Sequence, residues 1–334
     1  MNTTDNTTTQ APGWIVSLGI FSELYYPPII VVTGTVGNIL MFMLMNLEEF
    51  RLTPSSIYMR GISITDSIYL ISRVGQSFLL NFLPWLLTGK FETPFCMEYY
   101  ILFTFGQAAS LLLLVAMSFD RALAILCPMK VLKRNALKKA KIQAIIAAML
   151  AFIYSLCFNL SRTHIPHLRK EGWSCPYYFN PPYDVIITHI ESALGYSCLL
   201  LMIFVNILII ITILKSRRHR KEMQGIQNAD NDNHMLIMLL TISCCYLVAY
   251  LLPRMKNAYY FANEAKTIEE NHISNAISII TVMIEHGNFA LNFYFYALPL
   301  SKFRNALLIL LKLRERPGKE CSTSFTSSNP SRGS

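Results

Sequence analysis

Apolar residues in this chain arrive in long blocks separated by short polar stretches, with no sustained alternation. Seven blocks stand out, at 24–47, 57–80, 97–125, 142–160, 185–214, 235–258 and 273–298. A bilayer core of about 30 Å takes roughly 20 apolar residues per helix, and the blocks have about that length or more. Inside lipid the backbone must satisfy its own hydrogen bonds, so such blocks predict helices rather than open sheet. After the last block, the segment SKFRNALLILLKLRERP can place Phe303, Leu307, Leu308, Leu310 and Leu311 on one face, with Lys302, Arg304 and Lys312 on others. That pattern predicts an amphipathic helix lying in the membrane interface. The expected architecture is an all-α membrane protein of seven transmembrane helices plus this short interfacial helix. Residues 1–23 form an outer tail, 24–298 the helical domain, and 299–334 the interfacial helix and inner tail. No internal repeat is visible, and no gap between blocks has room for a second domain.

Composition agrees with this reading. The 334 residues are 53% hydrophobic and only 15% charged, where soluble domains run near 45–50% and 25%. Basic residues set the orientation. One set of loops and the tail carry Lys130, Lys133, Arg134, Lys138, Lys139 and Lys141, then Lys215, Arg217, Arg218, Arg220 and Lys221, then Lys302, Arg304, Lys312, Arg314, Arg316 and Lys319. The opposite loops hold few, namely Lys90, Arg162, Arg169, Lys170 and Lys266. The N-terminus is therefore expected outside and the C-terminus inside. The net charge of +9 follows from this bias and from attraction to anionic inner-leaflet lipid, with no need of nucleic acid. The opening segment MNTTDNTTTQAPGW lacks the basic start of a signal peptide. It holds two glycosylation sequons, at Asn2 and Asn6, which suit an outer location. Of eight cysteines, Cys96 and Cys175 fall on the outer side, where a disulfide can persist. Cys321, beyond the interfacial helix, is a candidate for palmitoylation or a plain free thiol. No Cys/His spacing fits a zinc site.

Polar residues within the blocks are costly toward lipid and are expected to face the bundle interior. Asn38, Asp66, Asn288 and Asn292 are such residues, and Ser110 lies three helical turns before Arg121. Together they suit a small hard cation with oxygen ligands, or an interhelical hydrogen-bond cluster that only holds helices together. Asp120-Arg121, at the inner end of the third block, reads either as a snorkelling pair or as a latch between helices. Pro253 kinks the sixth helix, as an ordinary membrane kink or as a hinge.

Taken jointly, these residues resemble the rhodopsin-like (class A) G-protein-coupled receptors, over about residues 24–313. The first-helix Gly-Asn is matched by Gly37-Asn38 and the second-helix Asp by Asp66. Cys96 stands 25 residues before Arg121, the family's distance from its disulfide cysteine to the arginine of Asp-Arg-Tyr. Ser110, with Asp66, Asn288 and Asn292, falls on the family's sodium site. Pro128 and Met129 match the inner-loop proline and the apolar residue that plugs into the G protein. Pro253 matches the sixth-helix proline. Asn292 and Tyr296 match the ends of Asn-Pro-x-x-Tyr, and Phe303-Arg304 the start of the eighth helix. Departures are Ala122 for the tyrosine of Asp-Arg-Tyr, Phe293 for the seventh-helix proline, and Tyr250-Leu251-Leu252-Pro253 for Cys-Trp-x-Pro. The fourth block has no tryptophan, and the fifth no proline.

The resemblance implies a receptor in the plasma membrane, not an enzyme. It binds an extracellular ligand and activates heterotrimeric G proteins as the sixth helix moves outward. At rest Asp120 would hold Arg121, and on activation Arg121 would meet the G protein. Cys96 and Cys175 would form the disulfide. His286 stands where retinal binding would need lysine, and Phe103 where aminergic receptors carry aspartate. Phe293 in the proline slot is similar to invertebrate FMRFamide-type peptide receptors. Glu98, Glu191 and Glu285 are candidate ligand-binding acids, with Arg73, Gln76, Phe103, His189 and His286 as candidate partners in the pocket. A short amidated or basic peptide is the expected ligand, unless these acids pair internally. The alternatives are a lipid or small-molecule receptor of the same fold and, less favoured for want of repeat symmetry, a transporter.

Overall fold

The computed structural model describes residues 12–75, 92–126, 133–160, 162–164, 167–169, 172–174, 177–179, 183–222, 243–252, 268–297 and 301–313. Seven helices follow the seven blocks. α1 is Gly13–Met45 and α2 is Pro54–Tyr69, extended by a π turn at Leu70–Val74. α3 is Glu92–Leu126, α4 is Lys133–Leu160, α5 is Tyr183–Glu222, α6 is Ser243–Leu252 and α7 is Ile268–Ala290. A short α8, Asn292–Ala297, continues α7 after a break at Leu291, and α9 is Ser301–Leu310. Among the described residues, four stretches are long and apolar enough to cross a bilayer on their own, namely Gly13–Met45, Glu98–Ala124, Asn135–Asn159 and Ala193–Ile211.

Several helices outrun their apolar blocks. α1 begins at Gly13, upstream of Leu24, because GWIVSLGIF is apolar and free of proline, and Pro12 stands before its first turn. Its 33 residues span about 50 Å, so its ends extend past the hydrocarbon. Pro27 and Pro28 have no N–H to donate, and a π turn at Phe21–Tyr25 precedes them, with the Tyr26 N–H bonded to the Phe21 carbonyl. α4 and α5 likewise extend through Lys133–Lys141 and through Lys215–Lys221, stretches expected as inner loop. Basic residues are good helix formers once outside lipid.

Between α4 and α5 lies a feature that block-reading passed over. Four three-residue strands, β1 (Arg162–His164), β2 (His167–Arg169), β3 (Gly172–Ser174) and β4 (Tyr177–Phe179), pair antiparallel as β1 with β4 and β2 with β3. The two ladders share one register, so together they form a single nested hairpin. Pro166 and Pro176 fall between the ladders, and proline cannot donate to a ladder.

α3 is the central rod and packs on α2, α4 and α5. One close approach is at Gly106. A Cβ there would stand 2.9 Å from both the Thr65 carbonyl oxygen and the Tyr69 nitrogen. Gly34 serves α1 in the same way, since a Cβ there would lie 2.7 Å from the Ala290 Cβ on α7. Without a hydrophobic drive between helices in lipid, small residues at contacts permit the packing. The main core, with Met41, Leu44, Tyr58, Leu114, Met117, Met202 and Tyr246, fills the middle and inner half. A smaller cluster of Ile30, Tyr69, Leu70, Val74, Phe289 and Ala290 joins α1, α2 and α7. α9 lies against the loop after α1, with Phe303 buried and its ring 4.9 Å from that of Phe50. It ends in a Schellman pattern: Leu313 N–H bonds the Leu308 carbonyl at 2.8 Å, Lys312 N–H the Ile309 carbonyl at 3.1 Å, and Lys312 adopts φ 57°.

Gly106→Ala is expected to lower stability by about 1–3 kcal/mol, the usual penalty of forcing atoms into a closed contact. A thermal melt of purified receptor in detergent checks this, and an unchanged midpoint would mean that α2 and α3 can part without loss.

Candidate functional site

Three polar groups lie along α3, at three depths. The deepest is built on Asp66, which has no exposed surface. Asn292 Nδ2 donates to Asp66 Oδ2 at 2.6 Å. Asp66 Oδ1 has no hydrogen-bond partner among the described residues. Asn292, with Ser63, Ser110 and Tyr246, also lines a cavity of about 10 Å³, room for roughly one water-sized sphere. Asn288 is buried one turn before Asn292. The oxygens of Asp66, Ser110 and Asn292 are hard donors, and an orphaned carboxylate oxygen is an expensive group to bury. The residues present therefore fit a small hard cation. Asn38, also buried, donates from Nδ2 to the Phe289 carbonyl at 3.2 Å. That bond draws on a carbonyl one turn before Phe293. The break at Leu291 falls within this turn, in the absence of the proline that usually makes one.

The outer group comes from α1, α2, α3 and α7. The π turn at the end of α2 carries Arg73, and just before it Ser72 Oγ donates to the Ile68 carbonyl at 2.6 Å. Such back-bonding loosens a helix, and π turns often re-aim functional side chains. Arg73 lies over the Phe103 ring at 5.3 Å, a cation–π contact, and its Nη1 reaches the Tyr99 hydroxyl at 3.4 Å. The His286 ring lies 6.0 Å from that of Tyr69 and 6.3 Å from that of Tyr26. Gln107 Nε2 donates to Glu285 Oε1 at 2.8 Å. Arg73, Phe103, Glu285 and His286 thus converge, whereas Glu98 is exposed on α3. Tyr26, Tyr69, Tyr99 and Gln107 join them without having been singled out. Gln107 could have been noticed as a polar residue in an apolar block one helical turn after Phe103. Behind this group, Thr104, Ser155 and Asn159 tie α3 to α4. Thr104 and Ser155 hydroxyls lie 2.6 Å apart, and Asn159 Nδ2 donates to Thr104 Oγ1 at 2.9 Å.

At the inner end Arg121 Nε donates to Ser55 Oγ at 2.7 Å, and Nη2 also contacts Ser55. Ser55 stands in the first turn of α2, so the guanidinium is tied across two helices. Asp120, its neighbour, faces the charges of Arg121 and Lys139. The Tyr58 hydroxyl donates to Gln143 Oε1, which adds α4 to the same end.

Asn2, Asn6, Gln76, Pro128, Met129, Cys175, Pro253 and Cys321 lie outside the described residues. The side chains of Cys96, His189, Glu191 and Tyr296 do too, although their backbones lie within α3, α5 and α8.

A bundle of apolar helices with a buried carboxylate at its centre, an aromatic and ionic cluster outside and a tethered arginine inside is the build of a membrane receptor. The sequence profile of the 7 transmembrane receptor (rhodopsin family) matches residues 37–296. The chain belongs to this family, whose members are multi-pass receptors of the plasma membrane. It is similar to somatostatin receptor type 5 of Rattus norvegicus, 23% identical over 300 residues, covering 86% of this chain and 77% of that one. It is also similar to the type-1 angiotensin II receptor of Homo sapiens, 24% identical over 297 residues, covering 85% and 79%. The type-1 angiotensin II receptor A of Rattus norvegicus is 25% identical over 297 residues, covering 85% and 79%.

Asn159→Ala is expected to remove the link from α4 to Thr104 and to destabilise the fold by about 1–3 kcal/mol. The melting midpoint reports it, and Asn159→Gln should recover less than half of the loss because the longer arm overshoots Thr104.

Proposed function

We infer that this receptor responds to a short extracellular peptide carrying a cationic or amidated group, and passes the signal to a heterotrimeric G protein. The observation that carries the reading is the Glu285 carboxylate on α7, held by the neutral amide of Gln107 on α3 within an aromatic cluster. A carboxylate has about four acceptor sites, so the bond from the neutral Gln107 amide does not use up its capacity, and a ligand cation can join it. Relatives named as receptors for somatostatin and angiotensin II, both peptides, support the ligand class. An FMRFamide-like peptide is the finer form of this proposal, resting on Phe293 in the proline slot. The peptide enters from the outer face, with Arg73, Phe103 and His286 grouped with Glu285, and Gln76, Glu191 and the exposed Glu98 are proposed as further ligand contacts. The N-terminus lies outside, with Asn2 and Asn6 glycosylated and a Cys96–Cys175 disulfide bracing the hairpin. Cys321 anchors the inner tail by palmitoylation.

Outward movement of α6, hinged at Pro253, releases Arg121 from Asp120 and Ser55 to meet the G protein, with Pro128 and Met129 in the docking loop. Asn292 and Tyr296 complete the inner rearrangement. A sodium ion held by Asp66, Ser110, Asn288 and Asn292 would supply a countercharge to the orphaned carboxylate oxygen and favour the resting bundle. A ligand that binds one state better shifts the population toward it.

Glu285→Gln is expected to weaken peptide potency by at least about tenfold, the order of one desolvated charge pair lost. Concentration–response curves at matched surface expression measure it. Unchanged potency in the triple variant of Glu98, Glu191 and Glu285 to Gln would remove the acidic-pocket idea. For the cation, sodium at about 100 times its dissociation constant should stabilise the wild type by about 2.7 kcal/mol over choline. Asp66→Asn should melt alike in both salts, and a sodium-dependent shift retained in that variant would place the ion elsewhere.

A further inference from the structure

A cavity of about 280 Å³ lies between α3, α4, α5 and α6, on the far side of Gln107 from the bonded Glu285. α4 and α5 each pack along α3 and scarcely meet one another, so a gap is left between them. Leu150 on α4 and Leu194 on α5 stand at its mouth, and both are more than half exposed. Both lie in membrane-spanning stretches, and Met149 and Ile153 beside Leu150 are exposed as well. Around such a mouth the solvent is acyl chain, so whatever enters must be dissolved in the bilayer.

The lining carries no ionised side chain, which excludes a charged occupant. Its polar members define what an uncharged one needs. The Thr104 hydroxyl is taken by the Tyr100 carbonyl at 2.7 Å and by Ser155. Gln107 must turn its amide nitrogen toward the Glu285 carboxylate, since only the nitrogen can donate. The group Gln107 has left to offer is its carbonyl oxygen, an acceptor. Tyr154, Tyr246 and Tyr250 also line the cavity, and a phenol can donate or accept, so the matching occupant has an apolar body and, at one end, a hydroxyl that can do both.

The geometry points to a lipid-side binding site between α4 and α5 for an uncharged, bilayer-dissolved alcohol, with its hydroxyl donated to Gln107 Oε1 and its body against Leu150, Leu194 and Cys198. The cavity is at the lower end of ligand-site volumes, so a larger body leaves part of itself in the open mouth. Two sources share this chemistry, a membrane sterol and a long-chain aliphatic alcohol. The site is independent of the peptide reading, because it is tested with no peptide present.

The test uses the full-length receptor in lipid nanodiscs, irradiated with a diazirine-bearing sterol in one arm and a diazirine-bearing hexadecanol in the other. Adducts are mapped by mass spectrometry. Adducts concentrated on 104–112, 150–154 or 194–198 in either arm support the site and identify which alcohol it takes. Labelling there should fall by about fivefold in Gln107→Leu, the weight of one hydrogen bond. It should be lost in Leu194→Trp, which fills the mouth from a lipid-facing position and spares the core. Cys198→Phe, which fills the cavity itself, should lose it too, with its melting midpoint confirming a folded protein. Adducts spread evenly over all lipid-facing helices, or unchanged in both filling variants, would overturn the proposal. So would equal labelling by a hydroxyl-free hydrocarbon probe.

Discussion

Asp66 has no exposed surface in a bundle surrounded by hydrocarbon, and the rest of the molecule is arranged around that fact. Neither lipid nor apolar side chains can solvate a carboxylate. Asn292 supplies one hydrogen bond from α8, and Ser110 flanks it from α3. Asn38 fastens α1 to α7 one turn away through the Phe289 carbonyl. Helices from opposite ends of the chain are thus held by polar contacts that have no alternative partner in the membrane. Gly34 and Gly106 let the backbones come close enough for those contacts to form.

α3 links the polar groups at the two ends of the bundle. Its 35 residues run about 50 Å, enough to cross the bilayer with turns to spare. Gln107, near its middle, holds the acid of α7, Ser110 stands about one turn further on at the central carboxylate, and Arg121 near the other end is tied to α2. A shift of α7 or α2 against this rod alters bonds at more than one level. That couples the two ends of the bundle physically without any single switch residue.

The departures from the family's usual residues become intelligible in these terms. The α7 helix breaks at Leu291 even though Phe293 replaces proline, and in that turn the Asn38 amide engages the Phe289 carbonyl. Tyr250 replaces a cysteine on α6, and its hydroxyl packs onto Gly195 of α5, where a Cβ would stand only 1.8 Å away. A small residue on one helix and a long one on the other hold α5 and α6 together. α4, lacking a tryptophan, is joined to α3 instead by Thr104, Ser155 and Asn159.

Seven spans and the buried or tethered polar residues Asp66, Ser110, Arg121 and Asn292 were legible because lipid punishes every unsatisfied polar group. Apolar block length and misplaced polarity are therefore strong signals in the chain itself. The resemblance then supplied roles that no pattern of blocks could. The structure alone decided the helix extensions beyond the apolar blocks, where lipid no longer selects composition, and the hairpin, whose three-residue strands are too short to show periodicity. It alone paired Gln107 with Glu285 and Arg121 with Ser55, and it set Glu98 outward while Arg73 turned toward Phe103. Partners so far apart in the chain are chosen by how helices rotate and cross, and rotation about a helix axis is settled by packing against neighbours rather than by the residues of that helix alone.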